Sequence, residues 1–292
     1  MKVHRLLIYL FILSSFLMIT ACGGGGGGGS DSFGEVAIDV TDAKPVLPDG
    51  ATNLWITFTE VLAHKSGGGW TSLPLLESPY SIDLLQFYDG NTTELVPPVS
   101  LSSGKYTQIR IVVSKATIRF NNEPNTDTPV EISSENLKTD KNFDFDVEGG
   151  GAVDIIVDFD LSQSIVVTDE SGTPSYKLKP VLHIVDASEA ATINGKIDQE
   201  SFVDGQNAEV TVFVFNPETG YEEYTKIEVS KSNEDGAEFT EFNIFWLVPN
   251  QDYRVGIDFD PDSEYDSEFT EDVSADDLEP GEVWSLSGGT PI

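Results

Sequence analysis

Hydrophobic and polar residues alternate along most of the chain. Six segments show this most clearly, with apolar residues at every second position: Val36, Ile38, Val40; Leu54, Ile56, Phe58; Ile109, Ile111, Val113; Ile155, Val157, Phe159; Val210, Val212, Val214; and Val255, Ile257, Phe259. A period of two places successive side chains on opposite faces of a strand, so it predicts half-buried strands with one face in solvent. On this pattern, Asp158 and Asp160 are expected on the solvent face of their strand.

Turn sequences separate these strands and complete the prediction of an all-β fold. They are Pro48-Asp49-Gly50, Asp89-Gly90-Asn91, Pro217-Glu218-Thr219-Gly220 and Asp235-Gly236. The pattern predicts no amphipathic helix longer than two or three turns, and only short helical turns near residues 82–87 and 133–137. Many short strands with polar turns predict two antiparallel β-sandwich domains in tandem.

A change in pattern near residues 187–192 predicts the boundary between these domains. Residues 179–186 have the pattern of a closing strand, whereas residues 188–191 have no strand pattern, and Asn194-Gly195 opens new chain. The first domain is therefore expected over residues 34–187 and the second, a transthyretin-like or immunoglobulin-like sandwich, over residues 191–288.

The N-terminus has the pattern of a signal peptide over residues 1–21. Lys2 and Arg5 flank an apolar run that ends near Ile19, too short for the roughly 20 residues of a membrane-spanning helix. Residues 19–22, Ile-Thr-Ala-Cys, resemble the bacterial lipobox, whose cysteine receives diacylglycerol. Cys22 is the single cysteine of the chain. We therefore expect cleavage before Cys22 and lipid attachment to it. The residue after Cys22 is Gly23 and not the Asp that retains lipoproteins on the inner membrane, which favours the outer membrane.

A glycine-rich tether over residues 22–33 is expected to hold the folded part loosely near the lipid, because such a segment has little apolar surface to bury. The chain is strongly acidic, with a formal net charge of −34, or −36 once residues 1–21 are removed. Nucleic acid and bare anionic lipid headgroups would be repelled and are excluded as partners.

Several stretches of the first domain follow one another in an order that a known family shares. They are GEVAIDVTDA (34–43), ITFTEV (56–61), WTSL (70–73), IDLL (82–85), GKYTQIRI (104–111), DFD with a later Ser (158–160 and 164) and YKLKP (176–180). Together, over about residues 34–186, they resemble the bacterial lipoprotein domains known as domain of unknown function 4382. Lys44 departs from the family pattern, because in the family a proline often follows the Asp-Ala pair directly. The resemblance implies an all-β exported domain with no established activity.

Residues 242–255, FNIFWLVPNQDYRV, resemble the carboxypeptidase-regulatory, transthyretin-like sandwiches, although Asn250 or Gln251 replaces the usual turn glycine. This resemblance implies an accessory or adhesive module and not a catalytic one.

The candidate chemical groups favour structural explanations. His64 and His183 do not have metal-ligand spacing, and His183 is expected to be a structural histidine. Trp246 and Phe245 could stack on a sugar ring, but core aromatic residues are the preferred interpretation.

Two acidic groups complete the candidates. Asp154, Asp158 and Asp160 could supply paired carboxylates for glycoside hydrolysis, but solvent-facing carboxylates have no neighbour to raise a pKa. The acidic stretch 258–268 could bind calcium, yet Ser263 stands where an EF-hand needs glycine and Phe269 where it needs glutamate.

We therefore expect no catalytic residue, no cofactor and no metal ion. The predicted function is that of a membrane-anchored cell-envelope lipoprotein with a non-catalytic binding or structural role, whose partner is an envelope protein or a glycan. The alternatives are a glycan-binding accessory lipoprotein and a carboxylate-based hydrolase.

Overall fold

In the computed structural model, the described residues are 32–42, 47–134, 136–138, 143–170, 173–203, 206–234, 236–261 and 269–292. The regular structure is almost entirely β, as the alternation predicts. The strands of the N-terminal half are β1 (Phe33–Thr41), β2 (Ala51–Lys65), β3 (Trp70–Leu73), β4 (Tyr80–Asp83), β5 (Thr93–Ser102), β6 (Gly104–Phe120), β7 (Thr128–Ile132), β8 (Asn136–Lys138), β9 (Phe145–Val147), β10 (Ala152–Phe159), β11 (Ile165–Glu170), β12 (Thr173–Leu178) and β13 (Leu182–Asp186).

The C-terminal half begins at residue 191. Its strands are β14 (Ala191–Asp198), β15 (Ala208–Asn216), β16 (Gly220–Val229), β17 (Phe239–Leu247), β18 (Tyr253–Asp258), β19 (Phe269–Val273) and β20 (Val283–Ser285). The helical segments are one α-helical turn, α1 (Leu161–Ser164), and three 3-10 turns at Leu84–Gln86, Ala275–Asp277 and Leu286–Gly289.

In each half, two sheets enclose one hydrophobic core. The N-terminal half has a four-stranded sheet in the order β13-β10-β1-β5 and a nine-stranded sheet built around β2 and β6. The C-terminal half has a three-stranded sheet, β17-β14-β20, and a four-stranded sheet, β16-β15-β18-β19. The alternating residues predicted to face inward are fully buried in β1 and β2, for example Val36, Ile38 and Leu54.

Each half has its own core, although Ser32–Ile292 form one compact unit by their contacts. The buried apolar residues of the first core lie between Val36 and Ile184, and those of the second between Ala191 and Leu286. The predicted boundary falls between these two sets. Independent folding of the two halves stays a prediction.

Parallel strand pairs distinguish the sheets from the purely antiparallel arrangement expected from the sequence. β1 pairs with β10 in parallel, as β7 does with β12 and β14 with β20. In the first pair Thr41 lies opposite Asp158, so the carboxyl ends of two neighbouring strands meet at one edge of the sheet. This edge carries the candidate site described below.

The two predicted helical turns have different outcomes. The turn near residues 82–87 is confirmed, because Leu84–Gln86 form a 3-10 turn. The turn expected over residues 133–137 is wrong, because residues 136–138 form β8, which pairs with β6. A long-range strand partner is available there, and it replaces a local helical hydrogen bond.

Candidate functional site

Cys22 and the tether lie outside the described residues up to Ser32, so lipid attachment stays a prediction. No helix among the described residues is long and apolar enough to cross a bilayer. Of the acidic stretch 258–268, only residues 258–261 are described. There Asp258 accepts a hydrogen bond from the backbone N–H of Asp260 at 2.9 Å.

The expectation that Asp158 and Asp160 face solvent is wrong, because both side chains are buried. β10 is a central strand between β1 and β13, and one of its faces packs on the first core. At the carboxyl end of β10 the opposite face is also covered, by Tyr224 of the C-terminal half, which lies in one cavity wall with Asp158. The alternating pattern remains, but both faces are buried. Asp154, at the other end of the strand, is exposed as predicted.

Asp42 is a buried carboxylate that the sequence analysis did not single out. It follows β1 directly and is only 2% exposed. Its Oδ1 accepts a hydrogen bond from the backbone N–H of Leu161 at 3.0 Å, while Oδ2 has no hydrogen-bond partner among the described residues. Burial and the nearby negative charge of Asp158 raise the pKa of Asp42 well above its ordinary value, against the opposing effect of the Leu161 hydrogen bond. The sequence feature that could have indicated Asp42 is its place at the end of an alternating strand, within the stretch 34–43.

Asp160 is buried too, but its carboxylate has several partners. It caps α1, accepting from the Ser162 hydroxyl and from the backbone N–H of Gln163. Its Oδ2 accepts from the Gln163 amide at 2.8 Å and lies 3.5 Å from Nε2 of His183. Burial opposes ionisation of Asp160, yet the hydrogen bonds from His183, Ser162 and Gln163 outweigh it and lower the pKa.

His183 and Gln163 join the two halves through one residue, Tyr224 in β16. The backbone carbonyl of Tyr224 accepts hydrogen bonds from the Gln163 amide at 2.7 Å and from Nε2 of His183 at 2.8 Å. Since a carbonyl oxygen only accepts, Nε2 of His183 must carry a proton. The rings of His183 and Tyr224 also stack, with centroids 3.9 Å apart. This geometry gives His183 a structural role at the junction.

A small cavity, lined in part by Tyr224, is called here the interface cavity. Its volume is about 20 Å³. Its polar lining residues are Asp42, Asp89 and Asp158 from the N-terminal half, and Tyr224, Thr225, Asn243 and Trp246 from the C-terminal half. The hydroxyl of Thr225 and the indole N–H of Trp246 are buried without a partner among the described residues. Sugar stacking would need an exposed ring face, whereas Trp246 lines the interface cavity. The neighbouring Phe245 packs against Gly90.

A larger groove, called here the interface cleft, is also lined by His183 and Tyr224. Its volume is about 610 Å³, within the range of small-molecule sites. Apolar and polar side chains share its wall, among them Phe143, Leu182, Phe215, Asn216, Glu222 and Gln251.

Two side chains of the interface cleft are suited to ligand contact. Phe215 is 46% exposed and packs edge-on against Tyr221. Hydrogen bonds from Thr219 and Asn216 hold the Glu222 carboxylate in place and lower its pKa. Neither residue was predicted from the sequence, and Phe215 directly follows Val214, the last apolar position of the alternating run in β15.

No group of three or more His, Cys, Asp or Glu side chains is arranged for a metal ion within the described part of the chain. Nδ1 of His64 shares a hydrogen bond of 3.1 Å with the Thr107 hydroxyl, and the His64 ring packs against Trp70. These contacts give His64 a structural role.

Comparison with solved structures gives only distant similarities. A leucine-rich repeat protein from Bacteroides thetaiotaomicron is 12% identical over 89% of this chain, with a TM-score of 0.22. The chain spans 26% of the length of that protein. The fimbrial anchor protein Mfa2 from Porphyromonas gingivalis is 10% identical over 82% of each chain, with a TM-score of 0.20. Scores at this level do not identify a common fold. No curated protein sequence matches the chain.

The comparison with protein families gives a definite result for the N-terminal half. The profile described as "Domain of unknown function (DUF4382)" matches residues 33–180, just over half of the chain, which confirms the resemblance found in the stretches between residues 34 and 186. The resemblance of residues 242–255 to transthyretin-like sandwiches is not shown by these comparisons and stays a prediction. The chain belongs to the DUF4382 family.

Proposed function

We propose that this protein is a lipid-anchored component of the bacterial cell envelope that binds a ligand without catalysing its conversion. One observation carries the proposal: Ile-Thr-Ala-Cys at residues 19–22 directly follows a short apolar run with a basic flank. Because Cys22 is the single cysteine, a thiol at this position serves lipidation and cannot serve an internal disulfide.

The physical consequence is stable attachment near a membrane surface. Burial of each methylene of an acyl chain contributes roughly 0.8 kcal/mol, so several chains on one residue give firm anchoring where one chain does not. The glycine run 23–29 then separates the lipid from β1, which begins at Phe33. Gly23 after the cysteine favours transport to the outer membrane.

The test is expression of the full chain in a bacterium with two membranes, with a clickable fatty acid in the medium. The wild type and a Ser30→Ala control should incorporate the fatty acid, whereas Cys22→Ser should remain an unlabelled precursor. A Gly23→Asp variant should be labelled but shift to the inner-membrane fraction. Labelling of Cys22→Ser at the wild-type level would refute the anchor.

The interface cleft is the proposed binding site, and a glycan is its proposed ligand. Sugar rings present apolar C–H faces together with hydroxyl groups, so they are recognised by exposed aromatic rings beside carboxylates and amides. Phe215 supplies such a ring, while Glu222 and Asn216 supply a carboxylate and an amide already joined by a hydrogen bond of 3.4 Å. The alternative ligand is an exposed segment of an envelope protein.

Binding can be tested with the full chain held on lipid vesicles and presented to arrayed envelope glycans. Phe215→Ala should reduce binding at least tenfold, since aromatic anchors dominate such contacts. The matched control is Phe33→Ala, which removes an exposed ring at the far end of β1. Equal losses in both variants, or no glycan binding by the wild type, would exclude a glycan site in the cleft.

A further inference from the structure

Arg110 differs from the other arginines that the structure describes in having no carboxylate partner. Nε and Nη2 of Arg119 donate to Asp127 at 2.9 and 2.6 Å. Arg254 donates to Asp272 in the same way, at 2.6 and 3.1 Å. Arg110 forms no such pair with a described residue, and its Nε is buried without a hydrogen-bond partner. Acidic residues outnumber Lys and Arg by 50 to 16 in this chain. Because carboxylates are so abundant, an arginine without one has a guanidinium that is available to a ligand.

Arg110 lies on the outer face of the nine-stranded sheet, which is turned away from the first core. It stands in β6 between Ile109 and Ile111, whose side chains are buried in that core. Its Cζ atom lies 4.2 Å from the centroid of the Trp70 ring in β3. A guanidinium held against an aromatic ring is fixed in orientation, and its N–H donors lie in its own plane. Because Nε is buried, the two Nη groups form the fork that can bind a pair of acceptor oxygens.

Trp70 is itself held in place by His64, its register partner in β2. The two rings pack with their centroids 5.0 Å apart. Nδ1 of His64 shares a hydrogen bond of 3.1 Å with the Thr107 hydroxyl in β6. A series of contacts thus runs across three strands and ends at the Arg110 guanidinium. Because these contacts exist without a ligand, binding immobilises few additional side chains.

The residues around Arg110 leave its charge unneutralised. Its register partners are Leu62 in β2 and Lys138 in β8, one apolar and one basic. Glu60 is the register partner of Val112, farther along the same face, and it forms no ion pair with Arg110. A bound anion therefore meets local positive charge, although the chain as a whole is acidic. The Debye length of about 8 Å at physiological salt screens the more distant carboxylates.

Hydroxyl and amide side chains near this stack indicate the kind of anion. Ser72, Thr107 and Gln108 lie on the same face and are exposed or partly exposed. A sugar ring presents the hydroxyl groups that such side chains bind. An extended peptide needs an open sheet edge or a groove, whereas β2 and β6 have strand neighbours on both sides. We propose that this surface, called here the arginine face, binds the carboxylate of a uronic acid in an acidic polysaccharide.

Each part of the arginine face has a separate role in this binding. The Nη fork of Arg110 binds both carboxylate oxygens, which is the geometry that guanidinium groups prefer. Trp70 orients the guanidinium, and the hydroxyl and amide side chains bind the sugar ring. The arginine face shares no residue with the lining of the interface cleft, so each site can be tested without the other.

Calorimetric titration of the full chain in neutral detergent with an oligogalacturonate tests the site. The methyl ester of this probe is the matched ligand, because it keeps the sugar rings and loses the charge. The wild type should bind the acid about tenfold more tightly than the ester, and Arg110→Gln should lose that factor, as expected for charge-assisted hydrogen bonds to one group. Arg110→Lys should restore only part of the affinity, because lysine keeps the charge but lacks the planar fork.

The matched control is Arg119→Gln, which removes the same charge from the same strand. The Arg119 guanidinium is already paired with Asp127, so this variant should bind the acid as the wild type does. Phe215→Ala, which alters the interface cleft alone, should also bind it normally. Equal affinity of the wild type for acid and ester, equal losses in the two Arg→Gln variants, or no binding by the wild type would overturn the proposal.

Protection of the wild type from chemical modification keeps the proposal testable if Arg110→Gln does not fold. Phenylglyoxal reacts with accessible guanidinium groups, and mass spectrometry of peptides gives the rate at each arginine. The oligogalacturonate should slow the modification of Arg110 several-fold and leave that of Arg254 unchanged, while the methyl ester should protect neither. Unprotected Arg110 at the concentration of acid that saturates the titration would exclude the arginine face as the site.

Discussion

The ring of His183 lies 3.9 Å from the ring of Tyr224, and Nε2 of the same histidine donates to the Tyr224 carbonyl at 2.8 Å. One side chain thus contacts both the ring and the backbone of a residue 41 positions later, in the other half of the protein. Tyr224 belongs to β16, an edge strand of its sheet, so these contacts satisfy a backbone group that has no strand neighbour on that side.

We predict that His183→Ala destabilises the junction by about 1–3 kcal/mol, through loss of one hydrogen bond and one ring contact. Limited proteolysis should cleave the variant faster between residues 186 and 191. The matched control is His64→Ala, which loses a hydrogen bond and a ring contact within the N-terminal half only. Faster cleavage at that linker in both variants would show that the effect is general.

Asp42 gives a prediction for stability as pH rises above 3.8. Its pKa is raised in the folded protein, so the folded state binds more protons than the unfolded state above the ordinary value of 3.8. Stability from this group is therefore lost as pH rises from 3.8 through the folded-state pKa. In chelator, urea unfolding of the wild type should weaken relative to Asp42→Asn over that range. Parallel curves for the two proteins would contradict the raised pKa.

Asp160 predicts a pH dependence of stability with the opposite sign. Its pKa is lowered in the folded protein, so it contributes stability above 3.8 that is lost as pH falls through the folded-state pKa. Asp160→Asn should be less stable than the wild type at pH 7, and the difference should shrink below pH 3.8. Acid unfolding followed by circular dichroism measures this difference. A constant difference across the acid range would mean that Asp160 acts by packing alone.

Gly34 gives a prediction about packing at the start of β1. A Cβ atom there would collide with the backbone oxygen of Glu148 and lie 2.9 Å from that of Gly151. Because backbone atoms cannot turn away as a side chain can, we expect Gly34→Ala to cost at least 1–3 kcal/mol. The control is Gly69→Ala, whose Cβ would meet no atom within 4 Å. Denaturant midpoints compare the two, and equal midpoints would contradict the close approach.

The acidic C-terminus predicts a general salt response. No Lys or Arg follows Arg254, while 12 acidic residues lie between Asp258 and Glu282. Repulsion among these carboxylates destabilises the folded state at low salt. Sodium chloride screens charges that lie farther apart than the Debye length, about 10 Å at 0.1 M. In chelator, the melting temperature of the full chain should rise steadily with sodium chloride. A flat profile would show that the acidic residues are too far apart to interact.

The strands were predictable from sequence wherever one face stays in solvent. Val36, Ile38 and Val40 alternate in the sequence and are fully buried in the structure. Local alternation is enough in this case, because β1 packs on a single core and its pattern depends only on residues within the same strand.

The candidate site was not predictable in the same way. Asp158 and Asp160 obey the same alternation, but their burial depends on Tyr224, which lies in another sheet and more than 60 residues away along the chain. The parallel pairing of β1 with β10 brings Asp42 to Asp158 and is equally long-range. Such contacts are set by how the halves pack, and no local pattern encodes that.

The parallel pairing also determines how the protein responds to a mechanical load. A pull on the chain ahead of Phe33 acts along the length of β1, which is hydrogen-bonded to β10 on one side and β5 on the other. The force shears both ladders at once and does not peel their bonds apart one at a time. A strand held in this way suits a protein that carries load through the N-terminal tether that we propose.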